Sequence, residues 1–203
     1  MTVASTSKMR IASIACSTYS LFICSVVIYG WLTANYSVVQ IAPDYPAMQF
    51  NTAVCLGLLS IAVILARFGL NKVPVLLACI AAAIGFLVIA DHSVNANVVG
   101  ELFFRADSNS PLYPIHGKMA NNSALAIVCL SSSIILIRSG YSKSREIPII
   151  LSCVAFALGA VSTIGYFLAI ASAYKWSDAS GMAFKTALCC LLLGIATMLN
   201  DWE

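Results

Sequence analysis

Six runs of predominantly apolar residues, each close to the roughly 20 needed to cross the hydrocarbon of a bilayer, govern what this chain can become. They lie at Ile11–Ala34, Phe50–Arg67, Val73–Ala90, Met119–Arg138, Ile147–Ala171 and Met182–Leu199. Hydrocarbon offers no water to unpaired backbone groups, so such runs fold as helices. The alternating ten-residue pattern of a membrane barrel is absent. Only 9% of the residues are charged, against about 25% in soluble domains. With 61% hydrophobic residues and a mean hydropathy of +0.93, the chain cannot cover its own surface with polar groups. The expectation is an all-α integral membrane protein forming a single membrane domain over residues 1–203, with lipid as its solvent. A basic start before an apolar run can also mark a signal peptide. The run from Ile11 is longer than the usual ~7–15 residues of such a peptide, so it reads as a retained helix.

Charge distribution orients the helices. Lys8, Arg10, Arg67, Lys72, Arg138, Lys143 and Arg145 fall at the amino terminus and in the two short links. Only Arg105, Lys118, Lys175 and Lys185 fall at the other side, together with Asp44, Asp91, Glu101, Asp107 and Asp178. This bias places both termini in the cytoplasm. No basic cluster is dense enough for nucleic acid. The eight cysteines all lie within expected helices, where they read as small apolar packing residues. No Cys-x-x-Cys pair points to a metal or redox centre.

An internal repeat is visible. The second helix begins Met48-Gln49-Phe50-Asn51-Thr52-Ala53-Val54, the fourth Met119-Ala120-Asn121-Asn122-Ser123-Ala124-Leu125, and the sixth Met182-Ala183-Phe184-Lys185-Thr186-Ala187-Leu188. The odd helices carry a weaker mark near their far ends: Gly30-Trp31, Gly85-Phe86 and Gly165-Tyr166. The units span about 10–68, 72–139 and 146–200, each a helical hairpin in the same orientation. Units sharing one orientation are related by an axis along the membrane normal, so six transmembrane helices form three tandem hairpins in a pseudo-threefold bundle. The second outer loop, Asp91–Lys118, is the longest, and its Val98–Arg105 stretch suits a short interfacial helix.

Two readings of the repeated motif stand open. Thr52, Ser123 and Thr186 could cap their helices. Alternatively, Met48, Asn51, Thr52, Met119, Asn122, Ser123, Met182, Lys185 and Thr186 could surround a small polar or anionic ligand near three positive helix ends. Lys185 either faces such a ligand or snorkels to lipid phosphate. His92 and His116, with Asp91, Glu101 and Asp107, fit no metal spacing and read as solvated loop residues. No helix has an ionisable residue at mid-depth, which disfavours a proton-coupled carrier. Ser131-Ser132-Ser133 reads as helix contact. Pro74 and Pro148 start helices, where proline is tolerated. No catalytic constellation, metal site or cofactor motif is expected.

The segment Gly181-Met182-Ala183-Phe184-Lys185-Thr186-Ala187-Leu188-Cys189-Cys190-Leu191-Leu192-Leu193-Gly194, with Met48–Leu58 as an earlier copy, resembles the membrane-embedded amino-terminal region of bacterial sensor histidine kinases and diguanylate cyclases. The resemblance implies a sensory, signal-transmitting module in the bacterial cytoplasmic membrane, feeding a cytoplasmic output domain or a partner membrane protein, with a second copy as a further partner. The sequence ends at Asn200-Asp201-Trp202-Glu203, which fits either a truncated sensor module or a free-standing relative. The alternatives are a non-catalytic accessory subunit, using the small-residue faces Ala78–Gly85 and Gly159–Gly165 for helix contact, and a small transporter.

Overall fold

The computed structural model describes residues 3–42, 45–94, 118–139, 146–177 and 180–201. It is helical throughout, apart from one small pairing of strands. Helix α1 covers Val3–Leu32, α2 Tyr36–Val39, α3 Phe50–Arg67, α4 Lys72–Ser93, α5 Asn121–Ser139, α6 Glu146–Phe167, α7 Ala171–Tyr174 and α8 Phe184–Asp201. Between α7 and α8, β1 (Lys175–Ser177) pairs antiparallel with β2 (Ser180–Gly181). The α3 bounds match the apolar run in the sequence. Pro74 and Pro148 each occupy the third position of their helix, where an N–H has no intrahelical acceptor to lose. The expected interfacial helix at Val98–Arg105 lies outside the described residues.

Among the described residues, five helices are long and apolar enough to cross a membrane: α1, α3, α4, α5 and α6. The sixth expected span, α8, is apolar over Phe184–Leu199, a shorter stretch than those of the other five.

Packing follows a plain rule. Helices α3, α5 and α8 each contact the other two, and each remaining long helix sits between two of these three. Thus α1 packs on α3 and α8, α4 on α3 and α5, and α6 on α5 and α8. More than half of the apolar stretches of α3 and α5 is buried, against 28% of those of α1 and α6. Outward-facing Phe22 and Tyr29 on α1, Leu76 and Leu87 on α4, and Ile150, Val161 and Ile164 on α6 form an apolar surface that water would not tolerate and lipid would. Inside, Leu56, Leu59, Ile127, Leu130 and Leu193 are fully buried.

Small residues let the helices approach. A Cβ on Gly159 of α6 would lie 2.6 Å from the Ala187 carbonyl and 2.7 Å from the Leu191 nitrogen of α8. One on Gly194 of α8 would meet the Phe156 backbone of α6 at 2.9 Å. On α4, a Cβ at Gly85 would strike Val128 of α5 at 2.9 Å. The small-residue faces are therefore used within the chain, not left open. Hydroxyls join helices too: Ser60 Oγ donates to Ser20 Oγ at 3.1 Å, and Ser133 bonds both Ser152 Oγ (2.8 Å) and the Pro148 carbonyl (2.9 Å).

The eight cysteines are free thiols. Cys24, Cys55, Cys129, Cys189 and Cys190 are buried as packing residues, whereas Cys79 and Cys153 face outward.

Candidate functional site

Helices α3, α5 and α8 begin at the same point of the repeated motif. Phe50, Asn121 and Phe184 are their first residues, so Thr52, Ser123 and Thr186 all stand third. This corrects the capping expectation, because a capping residue precedes the helix and these lie inside it. At α3 the capping position belongs to Gln49, whose side chain makes no capping bond. The fourth N–H of each helix closes on the carbonyl preceding it: Ala53 on Gln49 (3.0 Å), Ala124 on Ala120 (2.9 Å) and Ala187 on Ala183 (2.9 Å). Asn51 and Asn122 do the local polar work instead. The Oδ1 of each accepts the N–H of the next residue, Thr52 at 2.8 Å and Ser123 at 3.0 Å.

The three methionines are fully or almost fully buried, and each backbone carbonyl receives a ring donor from the preceding long helix. Trp31 Nε1 donates to the Met48 carbonyl at 2.8 Å, His92 Nε2 to that of Met119 at 2.8 Å, and the Tyr166 hydroxyl to that of Met182 at 2.8 Å. A carbonyl can only accept, so His92 presents an Nε2–H there. His92 is thus the counterpart of Trp31 and Tyr166, and the pairing of Gly85-Phe86 with them is corrected. Phe86 is exposed and Gly85 packs on α5. The reading of His92 as a solvated loop residue is corrected as well, since it closes α4 and is partly buried; His116, Glu101 and Asp107 lie outside the described residues. Among the described residues no group of His, Cys, Asp and Glu is placed to hold a metal ion.

After α1 and α6 the chain turns in the same way twice. Asn35 N–H bonds the Gly30 carbonyl at 2.8 Å, and Ile170 N–H bonds that of Gly165 at 2.8 Å. The intervening Ala34 and Ala169 take left-handed φ of 53° and 55°. This is a six-to-one helix termination, with alanine where glycine is usual. A four-residue helix follows each turn and folds back onto the glycine. A Cβ there would lie 2.9 Å from Val39 Cγ2 at Gly30, and 2.4 Å from Ala173 Cβ at Gly165. Glycine is required because the chain crosses itself at that point. The pattern Gly-[Trp/Tyr]-x-x-Ala-x-x-Ser, at Gly30–Ser37 and Gly165–Ser172, was available in the sequence as the signal.

The second residue of the central helices links one hairpin to the next. Asn122 Nδ2, at the second position of α5, donates to the Tyr174 carbonyl at the end of α7 (3.0 Å). Lys185, at the second position of α8, donates to the Val38 carbonyl in α2. Its ammonium is therefore held against the protein. Asn51, the equivalent residue of α3, is 2% exposed, and its Nδ2 is buried with no hydrogen-bond partner. Around the Lys185 linkage, Tyr166 and Tyr174 stack at 4.1 Å, with Tyr45 and Phe184 edge-on to Tyr166 at 5.2 and 5.5 Å. A separate open groove of about 490 Å³ is lined by Ile89, His92, Ser93, Asn121, Leu125 and Trp176. It includes none of the three motif methionines.

The nine candidate residues thus occupy one end of the bundle. Asn122 and Lys185 reach sideways to the neighbouring hairpin, and the methionines lie in the core. No family model, no curated protein and no solved structure matches this chain.

Proposed function

We propose that this chain is a membrane-embedded sensory module. In this reading six transmembrane helices form a pseudo-threefold bundle of three hairpins, α8 included, with both termini on the cytoplasmic side. The packing rule supports the bundle, since each outer helix lies between two of three mutually touching central ones. Arg10, Arg67 and Arg138 gather at the end opposite the motif, in keeping with a cytoplasmic face. The likeness of Met182–Gly194 to the input region of bacterial signalling proteins supports the sensory role and a cytoplasmic output partner.

One observation carries the reading. The bonds from Asn122 to Tyr174 and from Lys185 to Val38 fasten the first turn of a central helix to the connection of the neighbouring hairpin. A connection displaced by a stimulus would pull on a central helix, and a differential binding energy of about 1–3 kcal/mol is enough to couple two sites. The small-residue faces are consumed inside the chain, which leaves them less available for an accessory subunit. A kinase output domain fused after α8 tests the reading. Lys185→Met releases the Val38 carbonyl and should change the basal autophosphorylation rate by about fivefold or more. A rate equal to that of the unsubstituted chimera, at equal membrane abundance, would reject the sensory role.

A further inference from the structure

Helix α3 is enclosed on every side but one. It touches α5 and α8 towards the bundle axis, and α1 and α4 lie on its flanks. The remaining side opens outward between α1 and α4. Ile61 is 37% exposed there, and Phe68, just past the end of the helix, is 64% exposed. The two stand about two helical turns apart and so share that side. A notch results, floored by α3 and banked by α1 and α4, running to the end of the bundle opposite the repeated motif.

Two cations stand at its mouth. The Arg10 guanidinium of α1 lies over the Phe68 ring, 5.8 Å from its centroid, so an aromatic face holds it in place. Lys72 is exposed and opens α4. The short link from Phe68 to Lys72 bounds the separation of these two residues at about 14 Å. That link also folds back, through bonds from the Gly69 N–H to the Ala66 carbonyl (3.1 Å) and from the Leu70 N–H to that of Leu65 (3.3 Å). No neighbouring carboxylate balances the cations. Helices α1 and α3 and the link contain no acidic residue, and the first on α4 is Asp91, at its far end.

The notch thus joins two unlike chemistries, a guanidinium and an ammonium at the mouth and an exposed apolar floor below. A phospholipid has the same two halves in the same order. Because Phe68 takes the face of the Arg10 guanidinium, its N–H edge stays available to a phosphate. Basic pockets between membrane helices take up such headgroups. We infer that the notch binds an anionic phospholipid, its phosphate held between Arg10 and Lys72 and one acyl chain lying along α3 over Ile61. A zwitterionic lipid brings an ammonium of its own towards the same two cations and fits less well. The inference needs the bilayer but not the sensory role, so its failure and that of the sensory reading are told apart.

The whole chain, with Ile61 replaced by the photoreactive p-benzoylphenylalanine, is placed in nanodiscs of equal phosphatidylglycerol and phosphatidylcholine. After irradiation its lipid adducts are weighed by mass spectrometry. The phosphatidylglycerol adduct should exceed the phosphatidylcholine adduct by about tenfold, since each cation near an anionic headgroup contributes a factor of roughly five. Arg10→Gln together with Lys72→Gln should bring the ratio to about one, with circular dichroism showing that this variant is folded. Lys8→Gln removes a charge from the same end, but about 200° round α1 from Arg10, and should leave the ratio within about twofold. Three ratios would overturn the inference: near one in the chain that keeps both cations, undiminished in the folded double variant, or lowered as far by Lys8→Gln. The first needs no charge variant, so it decides even where the double variant does not fold. Adducts between two copies of the chain in place of lipid adducts would also overturn it, and would assign the notch to a second copy.

Discussion

Replacing Gly159 by alanine should separate packing from helix propensity in a way the structure quantifies. The new methyl group would lie 2.6 Å from the Ala187 carbonyl oxygen and 2.7 Å from the Leu191 nitrogen, both backbone atoms of α8 that cannot swing aside. An ordinary contact is about 3.4 Å or longer, so α6 and α8 must part by about 0.8 Å, a gap that forfeits a quarter to a half of each dispersion contact along the interface. Overpacking of this kind costs about 1–3 kcal/mol. Alanine recovers about 1 kcal/mol of helix propensity, leaving Gly159→Ala less stable by up to about 2 kcal/mol. Gly57 supplies the internal control. A Cβ there would meet only Cys24 Cβ, at 3.6 Å, so Gly57→Ala should gain about 0.5–1 kcal/mol. Unfolding followed by circular dichroism in mixed micelles of rising sodium dodecyl sulfate fraction would compare them. The two variants should differ by roughly 2 kcal/mol, the sum of those two effects. Finding Gly159→Ala at least as stable as Gly57→Ala would refute the close crossing of α6 and α8.

Three further outcomes are expected. Ala34→Gly and Ala169→Gly relieve a left-handed backbone, at φ of 53° and 55°, and should each raise stability by about 1 kcal/mol in the same unfolding assay. Trp31→Phe and Tyr166→Phe leave the buried Met48 and Met182 carbonyls without their ring donors, and each should lower stability by about 1–3 kcal/mol, whereas exposed Phe86→Leu should change it little. Asp107→Cys, in a chain otherwise free of cysteine, should react with a membrane-impermeant maleimide only from the side opposite the termini; labelling from the terminal side would invert the assigned orientation.

The long helices were legible because lipid imposes a length and an apolar composition that any reading of the chain detects. The Met-centred motif was legible because it recurs at the same place in three helices, and the structure starts α3, α5 and α8 at one common point of it. Its chemistry was not. The hydroxyls of Thr52, Ser123 and Thr186 suggested caps, yet helices that begin two residues earlier put them inside the first turn. Gly85-Phe86 looked like a third copy of Gly30-Trp31 because residue type was compared. The structure aligns by donor: an indole N–H, a phenol and an imidazole serve one role, and only the first two are aromatic in the ordinary sense of a sequence pattern. The joints were out of reach for a different reason. Lys185 and Val38 are 147 residues apart, and nothing local in either segment announces the bond between them.

The polar stripe on the first helix has a consequence for biosynthesis. Ser13, Ser17 and Ser20 are fully buried, and Ser13 Oγ donates at 2.9 Å to the Ala196 carbonyl, 183 residues later in the chain. Cys189 of the same late helix donates to the Ser20 carbonyl. During synthesis α1 must therefore wait in the bilayer, with that flank facing lipid or a chaperone, until the last helix is threaded in beside it. Among the described helices, the contact of α1 with α8 is the last that synthesis makes possible. A ribosome stalled before residue 184 would release an open arc with one edge unsealed, a natural target for membrane quality control.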